Sequence, residues 1–507
     1  MIDKSLLRAL LLSLAPAIAA AQTNPAAQAA RTWRQQHERA IVDELVALLG
    51  IPNIARDRDN ILRNADAISA LIERRGLAPK LVSVPGGNPI VFGEIKTPGA
   101  TRTLVFYAHY DGQPLDPREW KSPPFDPVLR TGPVEAGGTI VPLPAPGSRF
   151  DPEWRIYARS AADDKAPIVA LLAAFDAIRA AGVAMKSNIK FVFEGEEEAT
   201  SINLERTLAA NKALFAGDLW LMCDGPVHQT RRQLIAFGAR GFTGIDITVY
   251  GPRADAHSGH YGNWAPNPAL TLARLLVSMK DDKGRVLVDH FYDGIDPLTA
   301  TEQRAIAAAP DVDATLMKEL WLGSTDNAPR KLADVINEPS LNIRGLASGH
   351  VGNEASNVIP ASATATLDIR LVKGMAPRLT QTRVIDHIRK QGFFVVDREP
   401  TKEERLAHGK IAKVTVRPGS YEAVRTPMDL PIAQEVIRVV ESARGPAILV
   451  PAMGGGLPLD SVERPLGTRT IVIPMANHDD NQHGPDENLR IQNLWDGIEL
   501  FAALLTM

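Results

Sequence analysis

Apolar positions fall into two textures along the chain. LVFYA (104–108), IKFVF (189–193), LWLMC (219–223) and TIVIP (470–474) are unbroken β-favouring runs, the form expected of strands buried on both faces of a sheet. Between them APIVALLAAFDAIRAAGV (166–183) places Ile168, Leu171, Leu172, Phe175 and Ile178 at helical spacing, with Pro167 tolerable in a first turn. This rhythm predicts an α/β fold, a mostly parallel sheet flanked by helices. From about 233 to 424 the texture changes. GFTGIDITVYG (241–251), NPALTLARLLVSM (267–279), ATATLDIRLV (363–372) and KIAKVTVRPGSYEAV (410–424) read as strands and helices of a separate α+β unit, after which LPIAQEVIRVVESARG (430–445) returns to the first style. The pattern predicts one domain in two parts, 22–232 and 425–507, interrupted by an inserted domain at 233–424.

With 507 residues, 45% hydrophobic and 23% charged, the chain can bury a large core in more than one domain. A formal net charge of −3 supplies no basic excess for phosphate backbones, so nucleic acid is excluded as an expected partner. Lys4 and Arg8 accompany the apolar stretch LLRALLLSLAPAIAAA, which ends in small residues before Gln22. That is the form of a signal peptide over 1–21, cleaved after Ala21, and it predicts an exported chain, periplasmic or secreted, with no stable membrane insertion after cleavage. Cys223 is the single cysteine, so no intrachain disulfide can form.

The candidate chemistry lies just beyond the strands, where open α/β sheets bind ligands. His109 and Asp111 form an H-x-D pair in YAHYDGQP, in which the carboxylate can orient the imidazole for a metal. SAADDKAP places Asp163 and Asp164 ahead of a helix, one able to cap it and one to bind a metal. FVFEGEEEAT ends a buried strand in Glu196, Glu197 and Glu198, a concentration of negative charge that calls for a compensating cation. Asp224 and His483 complete the set. His109 with Glu198 on one ion, Asp224 with His483 on the other and Asp163 bridging would leave a position for water, as a catalytic site requires. Nitrogen and oxygen donors without thiolate suit zinc, and also manganese or cobalt.

HYDGQP, WKSPPFDPVL, SAADDKAP, FEGEEEATS, DAHSGHYGNWAPNP, NVIPASATATLDIRLV and QHGPDE stand in the order found in the M20 family of metallopeptidases, and the chain resembles its dipeptidase, carnosinase-like branch. The resemblance implies a zinc-peptidase-like sheet domain with an inserted lid and dimerisation domain, two divalent metal ions and a homodimer. His109, Asp163, Glu198, Asp224 and His483 fall on its metal ligands, with a cis peptide between Asp163 and Asp164. Glu197 falls on the general base, Asp111 on the residue that holds His109, and His257 on an oxyanion-stabilising histidine supplied by the partner subunit. Arg370 falls on the arginine that binds the substrate carboxylate, and Gly455 and Gly456 in MGGGLPL (453–459) line the substrate. The sequence departs from the family's pattern at Thr200, usually Gly, and at Gly456, often Ser. His478 in ANHDDNQH is a rival to His483, which the following Pro-x-Glu favours.

The expected activity is hydrolysis of dipeptides, or removal of the C-terminal residue of short peptides, by water activated by Glu197. Deacylation of N-acyl amino acids would use the same site. A non-catalytic metal- or peptide-binding protein would have lost a ligand or the base, and all are present.

Overall fold

The computed structural model describes residues 24–507; the expected leader at 1–21 lies outside the described residues. The larger sheet has eight strands in the spatial order Lys80–Val82, Ile90–Ile95, Asn188–Glu194, Thr103–His109, Leu219–Met222, Thr470–Val472, Leu234–Ala236 and Ile448–Val450. Asn188–Glu194, Thr103–His109, Leu219–Met222 and Thr470–Val472 run parallel to their neighbours in the centre. Ile90–Ile95 joins antiparallel on one side and Leu234–Ala236 on the other, so the sheet is mixed.

The unbroken apolar runs follow from burial on both faces. Leu104, Phe106 and Ala108 enter one core while Val105 and Tyr107 enter the opposite one. On the first face lie the helices Pro25–Leu49, Lys165–Ala180, Pro431–Arg444 and Ile491–Leu505. The second is covered by Leu204–Ala210 and Leu459–Leu466. Among the described residues no helix is long and apolar enough to cross a membrane.

A second sheet of five strands, ordered Ser340–Ala347, Ser362–Leu371, Gly241–Tyr250, Ile411–Val416 and Phe394–Val396, has its own apolar core. Strict alternation of buried and half-buried residues along Ser362–Leu371 marks a sheet covered on one face, here by the helices Pro268–Val277 and Pro377–Lys390. Asn267 starts the first of these by accepting from the amides of Ala269 and Leu270, with Pro268 in the first turn. The boundary expected at 233 moves: Leu234–Ala236 pairs with Ile448–Val450 in the larger sheet, and the chain crosses between sheets at Gly238–Ala239, paired with Val424–Arg425.

Candidate metal centre

Parallel strands end together, and this is what gathers the site. Thr103–His109 ends in His109, Asn188–Glu194 leads into Glu196–Glu198, and Leu219–Met222 is followed at once by Asp224. A cis peptide joins Asp163 to Asp164, and the helix Lys165–Ala180 begins directly after it.

Asp163 stands between the two histidines. Its Oδ1 lies 2.8 Å from His109 Nε2, and its Oδ2 lies 3.1 Å from His483 Nε2. Asp224 Oδ2 is 3.6 Å from His109 Nε2, while Glu198 Oε2 is 3.3 Å from His483 Nε2. The distances therefore correct the expected pairing: His109 goes with Asp224, and His483 with Glu198. Loop geometry decides this, because the turn after Asn188–Glu194 carries Glu198 across to the His483 side. His478 is absent from this group; it is half-buried, and its Nδ1 has no hydrogen-bond partner.

The centre is tied down by buried groups. Asp111 accepts from the amides of both Glu197 and Glu198, at 3.0 and 2.9 Å, while its backbone carbonyl faces His109 Nδ1 at 3.2 Å with Oδ1 a little farther at 3.5 Å. It thus positions the acidic turn as well as the imidazole. Glu196 accepts from the amides of Asn88 and Asn203 and is a structural member of the three glutamates. Asp164 occupies the helix cap without capping it; its Oδ2 accepts from the His109 amide at 3.2 Å. Thr200 takes the left-handed φ of +73° that glycine would adopt freely.

Three contributors carried no assigned role in the sequence although they sit in quoted motifs. Gln113 of HYDGQP donates to Glu198 Oε2, and Gln482 donates to Asp163 Oδ2, each at 2.6 Å. Glu487 of QHGPDE is fully buried and accepts from Arg159, from the Ser160 amide, and from the amides of Ala162 and Asp163. The loop bearing Asp163 is wrapped around this one carboxylate.

The electrostatics fit a cation-binding role. Burial pushes the carboxyls of Glu197 and Glu198 well above the usual carboxylate range, and the adjacent carboxylates add to it. Burial would raise Asp163 too, but the imidazoles of His109 and His483 on either side of it outweigh burial and hold Asp163 low. Asp163 Oδ1, Asp224 Oδ1 and His109 Nε2 are buried without a hydrogen-bond partner, even though the first and last are 2.8 Å apart. Donor atoms that crowd together without bonding each other are aimed at a shared third body. Nitrogen and carboxylate donors suit divalent cations, and two groups here could hold one: His109 with Asp164 and Asp224, and His483 with Glu198 and Asp163.

A cavity of about 590 Å³ opens over the centre and is lined by Glu197, Asp224, Arg370, Tyr421, Gly455 and Gly456 among others. Arg370, on strand Ser362–Leu371, is oriented by Asp368 at 3.2 Å and by the face of Phe242. His257 does not line the cavity of its own chain; it is exposed on the smaller domain, where its ring accepts from the Gly259 amide.

The model for peptidase family M20/M25/M40 matches residues 105–507, and the chain belongs to that family. It is accordingly a metallopeptidase of the M20 type. A Cys-Gly metallodipeptidase of Candida albicans is 26% identical over 489 residues, covering 92% of this chain and 93% of the relative. The human Beta-Ala-His dipeptidase is 27% identical over 427 residues, covering 82% and 76%. Among solved structures, an M20 family metallo-carboxypeptidase from Sulfolobus solfataricus superposes with a TM-score of 0.75 at 25% identity, covering 92% of this chain and 98% of its own. Human carnosine dipeptidase 1 shares the fold with a TM-score of 0.73 at 22% identity, over 95% and 99%.

Proposed function

We propose that the protein hydrolyses dipeptides, or releases the C-terminal residue of short peptides, with Glu197 as general base. The observation that carries this reading is a single cavity holding the carboxylate–imidazole centre, Glu197 and the Arg370 guanidinium together. Divalent ions held at the centre, zinc first and manganese or cobalt as alternatives, would polarise the scissile carbonyl and make a water acidic. Glu197, 4.0 Å from His109 Nε2 and open to the cavity, takes the proton of the attacking water and hands it to the leaving amine. Arg370 grips the substrate carboxylate by charge-assisted hydrogen bonds and so sets which amide reaches the centre.

The active form in this reading is a homodimer, because His257 has no access to its own cavity and a partner must bring it to the oxyanion. Its exposed neighbours Tyr261 and Trp264 support a contact there. With the leader that the sequence predicts at 1–21, the reading puts the work outside the cytoplasm, in the periplasm or medium. Relatives acting on dipeptides support this substrate class above N-acyl amino acids. The test is a panel of dipeptides, tripeptides and N-acyl amino acids given to the metal-loaded protein and to Glu197→Gln. Turnover of dipeptides that Glu197→Gln abolishes supports the reading; exclusive turnover of N-acyl amino acids, or an active Glu197→Gln, overturns it.

A further inference from the structure

The cavity wall supplied by the smaller domain is unusually rich in hydrogen-bond donors. Arg370 and Arg344 both line it, Arg344 at the register shift between Ile343 and Gly345 that bulges the edge strand. Arg240 stands close behind, pulled down to about 10 by burial and then by the charge of Arg370. Asp368 is the carboxylate paired with Arg370, which leaves positive charge in excess along the wall.

Tyr421 belongs to the same wall. Its backbone pairs with Phe242, whose ring lies 6.1 Å from that of Tyr421 and carries Arg370 on its face at 5.5 Å. Burial pushes the phenol up to about 12, with Arg370 and Glu197 as the next influences, so the hydroxyl is a neutral donor lying within the fields of the guanidinium and the proposed base. Among the described residues the hydroxyl has no hydrogen-bond partner. Across the cavity a Cβ built on Gly456 would fall inside the radius of the Tyr421 oxygen. Gly456 is therefore the space in which that hydroxyl stands.

Resting on the peptidase reading, we infer that the Tyr421 hydroxyl is a substrate-binding donor, sharing the terminal carboxylate of the peptide with Arg370, and that glycine is required at 456 to admit it. An anion is the ligand that a guanidinium and a phenol can hold together, and a free C-terminus is the anion that a short peptide brings.

The experiment measures calorimetric binding of Ala–Ala and of its C-terminal amide to the zinc-loaded Glu197→Gln protein, where no turnover intervenes. Adding Tyr421→Phe is expected to weaken Ala–Ala by roughly tenfold or more, as loss of one hydrogen bond to a charged group does, and to leave the amide unchanged. Gly456→Ala should give the same loss by displacing the hydroxyl, and the two changes together should cost no more than either alone. In the otherwise native enzyme, Tyr421→Phe should raise KM for Ala–Ala by the same factor. Unchanged Ala–Ala binding, or equal weakening of Ala–Ala and its amide, overturns the inference while native turnover keeps the peptidase reading intact. A native chain that neither binds nor cleaves any dipeptide overturns both.

Discussion

Replacing Glu487 by Gln changes one atom's chemistry in a fully buried group that does not line the cavity, and the structure says the cost is large. Oε1 accepts from the amides of Ala162 and Asp163, both at 3.0 Å, and Oε2 accepts from Arg159 at 2.7 Å and the Ser160 amide at 3.0 Å. Whichever way the new amide turns, its NH₂ faces two donors and cannot accept from either. Arg159, 2% exposed at its side chain, also loses its counter-charge and keeps only the face of Trp120 and a long donation to the His483 carbonyl at 3.5 Å. Breaking one side of a buried ion pair costs about 3–5 kcal/mol, and the orphaned amides fall largely within that sum. Urea unfolding should therefore show Glu487→Gln destabilised by about 3–5 kcal/mol. Turnover should fall with it, because the Asp163 amide is held by Oε1. Arg159→Met in the Glu487→Gln background removes the uncompensated charge, so the pair should be less damaging than the sum of the singles by about 1–3 kcal/mol. A Glu487→Gln protein within about 1 kcal/mol of the parent, with additive singles, would refute this account of the loop.

Two further substitutions probe the strand ends. Burial holds the Glu194 carboxyl up at about 8, with its Oε2 accepting from the Tyr107 hydroxyl at 2.6 Å. The folded protein thus keeps this proton more tightly than the unfolded chain, and the stabilisation present below about pH 4.5 is lost as pH rises toward 8. Glu194→Gln retains the acceptor without the proton, so its urea midpoint should fall less between pH 5 and 8 than the parent's, by roughly the linkage of one such group; parallel curves would contradict this. At Thr200, φ of +73° costs a β-branched residue about 1–2 kcal/mol that glycine avoids, partly offset by glycine's greater freedom when unfolded. Thr200→Gly should accordingly lose no stability, and a loss above about 1 kcal/mol would show that the side chain holds the turn.

Much of this site was legible because its ligands sit at the ends of continuous apolar runs. A strand buried on both faces announces itself, and His109, Glu198 and Asp224 each follow one closely. Which histidine faces which carboxylate was not legible, since it depends on how the turn after Glu194 and the loop around Glu487 fold over the sheet. Short strands toward the sheet's margins were missed for a related reason: Lys80–Val82, Leu234–Ala236 and Ile448–Val450 are three residues each, too short to show a period. Glu487 and Gln113 stood inside quoted motifs, yet their value lies in the amides they meet, which spacing does not encode. The contact of Tyr421 with Gly456 brings together two segments that nothing in either one links.

The most direct measurement is the metal content of the purified protein after zinc loading and exhaustive dialysis, by inductively coupled plasma mass spectrometry, alongside Asp163→Ala. The account predicts about two ions per native chain and a large loss of both in the variant, because Asp163 offers one oxygen to each histidine's side. A native chain that retains none, or a variant that retains as much as the native chain, would contradict it.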